Sequence, residues 1–317
     1  MRFRKIIAIA AAAVLGMSLC GCAGQDNSEG SGKLKVITTI FPAYDFARQV
    51  FGDTADVKML LKPGQESHSY DPSAKDIVEI SGCDLFVYNG GESDQWVESV
   101  LKSAPETKTF RMTDAVSLLD EEVTEGMQNA EEHDHDDHDE HGEEYDEHVW
   151  TSPDNASAIV RALGKRAAEL FPENADTVTE NAGSYAEKID GIDAEFAELL
   201  NGEERYFIFG DRFPLLYFFR HYGLNYYAAF PGCGSETEPS AQTMTFLLDK
   251  LEQPGTVPAV FCIELSSRRL GEVLAEDSGL PVAEFHTCHN ISADDLAAGE
   301  TWVSLMERNY KVLSDIL

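Results

Sequence analysis

From Leu34 onward, short runs of β-branched and aromatic residues alternate with amphipathic stretches. The runs LKVITT, ADVKMLL, DLFVYNG and KTFRM come first, separated by stretches of helical character beginning at Pro42, at Pro72 and around Gln95. Strands alternating with helices predict right-handed βαβ units and a parallel sheet. After His148, Thr151-Ser152-Pro153 predicts a helix start, a capping hydroxyl followed by a proline in the first turn. Phe171-Pro172 predicts its end.

A second, longer helix follows. Val178, Ala182, Tyr185, Ile189, Ile192, Phe196 and Leu199 recur at steps of three and four, an unbroken apolar stripe. A helix over 173–200 would be roughly 40 Å long, enough to act as a stiff strut. Gly183 and Gly191 lower its intrinsic stability, so it must rely on packing. Beyond Gly202 the alternation resumes with RYFIF, NYYAAF, AVFCIE and PVAEF, and helices are expected from Phe213, from Pro239, near Arg268 and from Gly299. The pattern therefore predicts an α/β protein of two β/α lobes with parallel sheets, 34–172 and 203–317, joined by a long rigid helix over 173–202. Ligands of such sheets sit beyond the carboxyl ends of the strands. His68, His148, Gly210-Asp211, residues 230–238, His286 and His289 all fall in loops at those ends.

The charge pattern points to cations. The formal net charge is −33, which repels nucleic acid and attracts positive ions. Roughly a quarter of the carboxylates lie in an acidic loop over 120–147. The run Glu131 to His148 sets five histidines among carboxylates with no lysine or arginine between them. No packed core can take up such a segment, and neutral imidazoles among carboxylates are what zinc seeks. His133, His135, His138 and His141 are expected to bind zinc weakly and reversibly as an accessory site, the alternative being a solvated spacer.

At the start of the chain, Arg2, Arg4 and Lys5 precede a short apolar stretch, Ile6 to Leu15. That stretch is too short for a mature membrane span and reads as a secretory signal over 1–22. Leu19-Cys20-Gly21-Cys22 resembles the lipobox of bacterial lipoproteins, which makes Cys22 the expected lipidation site. Several acyl chains on one cysteine suffice for stable anchoring. Residues 23–33 are Gly, Ser and polar, a flexible tether. The protein is thus expected outside the cytoplasm, lipid-anchored to the cell membrane. Of the remaining cysteines, Cys83 and Cys262 sit in apolar contexts and read as buried hydrophobes, while Cys233 and Cys288 are expected to form a disulfide.

Several stretches occur together in order: SHSYDPSAKDI (67–77), CDLFVYNGGESDQW, DEHVWTSPDNA (146–156), FGDRFPLLYFFRHYGL, ETEPSAQT and WVSLMERN. Through them residues 34–317 resemble the metal-binding lipoproteins of bacterial zinc and manganese ABC importers. The resemblance implies one metal in the cleft between the lobes and handover to a membrane permease driven by a separate ATPase. It also implies a monomeric binding protein with no catalytic residue. His68 matches the first histidine ligand and His148 the second, directly after a His-rich loop of the kind zinc-selective members carry. The third falls on Gly210, which has no donor, and the fourth on His286, with His289 close enough to help.

His68, His148 and His286 plus either His289 or solvent would make a nitrogen-rich set, better suited to Zn2+ than to Mn2+. Asp211 and Glu236 stay open as oxygen donors. The other classes are a manganese-binding importer subunit, a surface adhesin or metal-storage lipoprotein, and a secreted zinc hydrolase using Glu66 or Glu236 as base. No HExxH helix motif supports the last of these.

Overall fold

The computed structural model describes residues 32–128, 145–202, 204–232 and 239–317. Cys22, Cys233, Glu236 and the accessory histidines His133, His135, His138 and His141 lie outside the described residues, as does any lipid anchor.

Each half builds a four-stranded parallel sheet. In the first, β1 (Leu34–Thr38), β2 (Ala55–Met59), β3 (Leu85–Tyr88) and β4 (Thr109–Arg111) are ordered β2-β1-β3-β4. In the second, β5 (Tyr206–Phe213), β6 (Asn225–Pro231), β7 (Thr256–Ile263) and β8 (Val282–Phe285) are ordered β6-β5-β7-β8. The order is the same in both halves, with the second strand at an edge and the chain reversing direction across the sheet at the first strand. Such reversal points are where open α/β sheets bind ligands. The crossovers of the first half run through α1 (Phe41–Phe51), α2 (Ala74–Ser81) and α3 (Gln95–Ser103).

After α4 (Pro153–Leu170), the predicted strut is α5 (Ala175–Leu200), 26 residues long and preceded by a 3-10 turn over Pro172–Asn174. Its stripe is buried at Val178, Ala182, Tyr185, Ile189, Ile192 and Phe196, while Cβ atoms added at Gly183 or Gly191 would meet nothing within 4 Å. Those glycines lie on a face with open space beside it. The second half adds α6 (Leu216–Tyr222), α7 (Ala241–Leu251), α8 (Arg269–Ser278), a short α9 (Ala293–Ala298) and α10 (Trp302–Ile316).

Two departures from the sequence pattern matter. The fifth strand does not stop at Phe209 but runs through Gly210-Asp211-Arg212-Phe213, with a register shift between Phe209 and Arg212. Asp211 is tolerated there because its Oδ2 accepts the Ile263 amide at 3.2 Å. Cys288 carries a free thiol, fully buried near the Trp302 carbonyl at 4.0 Å, and its expected partner Cys233 lies outside the described residues.

The two halves and α5 share one hydrophobic core, containing Phe46 of α1, Trp150, Phe196 of α5, Phe261 of β7 and Trp302 of α10. Polar contacts cross it. Asp45, fully buried, accepts the Trp302 amide at 2.8 Å and the Arg48 Nε at 2.8 Å, and also receives the Tyr185 hydroxyl. Tyr217 Oη donates to the Asp146 carbonyl at 2.8 Å, tying α6 to the loop before His148. Among the described residues no helix is long and apolar enough to cross a membrane.

Candidate metal centre

Three loops converge at the carboxyl ends of the two sheets. His68 lies in the loop between β2 and α2, His148 immediately precedes the 3-10 turn Val149–Thr151, and His289 follows β8. Their ring centres form a triangle, His148 to His289 5.5 Å, His68 to His289 6.1 Å and His68 to His148 6.4 Å. A tetrahedral ion about 2.0–2.1 Å from one nitrogen of each ring would set the centres roughly 5.2 Å apart. Among the described residues the donor atoms that lie within 4.8 Å of one another are those of His68, Glu147 and His148, so the rings, His289 included, must shift inward to share one ion.

Each ring is held by its neighbours. Asp146, itself buried, accepts both the His148 amide at 2.8 Å and His148 Nδ1 at 2.9 Å, so Nε2 is left to face outward from that clamp. Such a carboxylate behind an imidazole is the usual device for fixing the tautomer of a metal ligand. Gly232 leaves room for the ring, since a Cβ there would come within 3.3 Å of His148 Cε1. His289 packs on Trp150 at 5.1 Å, and its Nε2 lies 2.8 Å from Ser67 Oγ. The loop carrying it is fastened by buried Glu264, which accepts the Thr287 amide and hydroxyl, both at 2.7 Å. His68 Nδ1 lies 3.1 Å from Ser93 Oγ, while its Nε2 is buried with no partner. A buried imidazole nitrogen without a partner is costly unless something occupies it.

The electrostatics divide the three. Burial, aided by the nearby charges of His148 and Arg212, holds His68 below its ordinary pKa of 6.5. Burial and the charges of His148, His68 and Arg212 push His289 well below that value. For His148 burial acts downward, but the charge and hydrogen bond of Asp146, with Glu147, outweigh it and hold the pKa above 6.5. His68 and His289 thus stay neutral and ready to coordinate, and His148 is the ring for which protons compete.

Two expected positions are not part of this triangle. His286 is buried, but its Nδ1 accepts the Cys288 amide at 2.9 Å and its backbone is clamped on both sides by Asn309, each bond at 2.7 Å. Between His286 and His289 the chain turns at Cys288, which has a φ of 58°. Gly210 is a packing glycine. A Cβ there would lie 2.6 Å from Gly271 Cα and 2.8 Å from Gly271 N of α8, so a side chain at 210 would run into a helix and not into the cleft. Asp211 also serves the fold, bracing the Ile263 and Arg212 amides.

Two residues of the site were missed in the sequence. Glu147, almost fully buried, accepts the Ser93 amide at 2.9 Å and the Ser93 hydroxyl, and lies 3.8 Å from His68 Nδ1. One ligand atom each from His68, Glu147 and His148 lie within 4.8 Å of one another. Its signal was masked by the acidic run that ends in it. Arg212 lines the same cavity as His148 and His289 and pairs with Glu66 at 3.3 Å. Its only signal is the GDRF stretch itself, a cation beside the glycine that replaces the expected histidine.

Residues 36–316 match the family described as ZnuA, zinc-uptake complex component A, periplasmic. The chain belongs to this family. Zinc-binding lipoprotein AdcA of Streptococcus pneumoniae is 30% identical over 311 residues, 98% of this chain and 60% of the relative, so the chain spans about three fifths of that protein's length. The high-affinity zinc uptake system protein ZnuA of Bacillus subtilis is 28% identical over 312 residues, covering 98% of this chain and 96% of the relative. Among solved structures, the Zn(II)-bound ZnuA-like domain of Streptococcus pneumoniae AdcA superposes with a TM-score of 0.73 at 29% identity, over 90% of this chain and 99% of that one.

Proposed function

We propose that this chain is the extracytoplasmic zinc-binding subunit of an ABC-type importer, which captures Zn2+ and delivers it to a membrane permease served by a separate ATPase. It acts as a monomer, by binding and not by catalysis, and is held at the membrane by acyl chains on Cys22, which becomes the first residue once the segment before it is removed. The functional segments are the tether 23–33, the lobes 34–172 and 203–317, and the connecting helix over 173–202.

The observation that carries this reading is the triangle of imidazoles at 5.5, 6.1 and 6.4 Å around a buried His68 nitrogen that has no partner. His68, His148 and His289 are the proposed ligands, with Glu147 the nearest protein oxygen and His286 a structural residue. Three nitrogens favour zinc over manganese, which prefers oxygen donors. The accessory histidines of the acidic loop raise the local zinc concentration near the cleft.

Zinc titration into metal-free protein tests the assignment. His68→Ala, His148→Ala and His289→Ala should each weaken zinc binding by more than about a hundredfold, beyond the range for supporting residues. His286→Ala should leave affinity within a few-fold of the parent. Loss of tight binding in a variant lacking only residues 129–144 would instead identify a storage protein whose loop is the main site.

A further inference from the structure

The cavity beside His148 and His289 contains a fixed cation. Arg212 lines it together with His148, His289, Ser67 and Glu66, and the cavity measures about 80 Å³. Its guanidinium cannot be deprotonated, and a divalent ion entering the same small space would be repelled by it. One end of the fork, Nη2, reaches Glu66 at 3.3 Å, whereas Nε is buried and has no acceptor. A buried guanidinium nitrogen without an acceptor, in a cavity lined by two of the three imidazoles that leave a tetrahedral ion one open position, describes a place for a bridging anion.

The described carboxylates nearby do not fill it. Glu147 is bound by the amide and hydroxyl of Ser93 and does not line the cavity. Glu264 holds Thr287 and the Asn290 amide. Glu66 already occupies the far end of the Arg212 fork.

Resting on the zinc reading above, we propose that the site takes its ion together with a small carboxylate-type oxyanion from solution. One oxygen occupies the fourth coordination position of the ion, and the other accepts from Arg212 in the planar geometry a guanidinium favours. The cavity sets the size. Bicarbonate or acetate fits, and a bulky polycarboxylate chelate does not. The cargo is then a zinc–carboxylate pair, and the same arginine that repels a bare ion holds the paired one.

The test is zinc titration of the metal-free full chain in a non-coordinating sulfonate buffer, with and without added acetate or, separately, bicarbonate, corrected for zinc–anion complexation in solution. Anion at roughly ten times its own Kd should raise the apparent zinc affinity about tenfold. In the Co2+-loaded protein, acetate should shift the visible d–d absorption and saturate. Arg212→Gln should lose both responses and bind zinc more tightly than the parent in the anion-free buffer, and Arg212→Lys, which keeps the charge but not the fork, should respond weakly. The parent protein's own cobalt spectrum keeps the test valid if a variant folds poorly. Tight zinc binding indifferent to both anions, or an undiminished response in Arg212→Gln, would overturn this inference alone. Absence of tight zinc binding in every buffer would overturn the zinc reading as well.

Discussion

The indole nitrogen of Trp302 donates to the carbonyl oxygen of Trp150 at 3.0 Å, across the boundary between the two halves. Trp150 in turn donates through its own indole nitrogen to the Thr287 carbonyl at 3.1 Å, and packs its ring against both His148 and His289. Two fully buried tryptophans therefore connect the first lobe, the last helix and the loops of the candidate site in one chain of contacts. Trp302→Ala should destabilise the protein by about 3–5 kcal/mol, the range for emptying a large aromatic site. Denaturant unfolding would measure this. Calorimetry at a temperature where the variant is still folded should also find weaker zinc binding, since the support beneath Trp150 is gone.

Acid should release zinc through His148 first. Its pKa is held above 6.5 by Asp146 against burial, while those of His68 and His289 are depressed. Coordination requires a deprotonated nitrogen, so affinity is full above the His148 pKa and falls about tenfold per pH unit below it while one proton competes. Asp146→Asn removes the charge that raises this pKa. Its zinc-binding profile should shift to lower pH, while affinity at pH about 8 falls about 10–100-fold because the tautomer is less well held.

Asp94 should make stability itself pH-dependent. Burial drives its pKa up from 3.8 to about 7, and the Glu147 charge adds to this, against the amides of Gly90 and Asn89 that both donate to Oδ2. A carboxyl with a folded-state pKa above its unfolded value contributes stability fully present below about pH 4 and lost as pH rises through about 7. Asp94→Asn keeps one oxygen for both amides and removes the titration. Urea unfolding between these pH values should show a slope for the parent protein, on the order of 2–4 kcal/mol in total, that the variant lacks.

The glycines of the second half and of the strut should respond oppositely. Gly191→Ala on α5 meets open space and removes the backbone-entropy penalty of a helical glycine, so it should stabilise by about 0.5–1 kcal/mol. Gly210→His, which restores the family's third histidine by sequence, must push into Gly271 of α8. It should lower the melting temperature by several degrees or more and leave zinc affinity no better than before.

The architecture was legible because parallel strands covered on both faces leave continuous apolar runs, and because the stripe on α5 keeps one phase over 26 residues. The end of β5 was not, since Gly210-Asp211-Arg212 looks like a loop until the Ile263 amide is seen to satisfy Asp211. Short α9 carries no buried residue, so no apolar period announced it. The choice between His286 and His289 was also out of reach. It depends on Asn309, 23 residues further on, clamping the backbone of the first, and on Glu264 holding the loop of the second. Spacing of three along a loop says nothing about which ring faces the cleft.

Because Phe46, Phe196, Phe261 and Trp302 belong to one continuous core, swinging one half against the other would break apolar packing that runs through α1, α5, β7 and α10. On the proposed reading, a permease would not read the cargo state from an angle between the halves. Occupancy would instead show at the rim, in how the loops of His68 and His289 settle around the ion, and discharge would mean prising those loops apart.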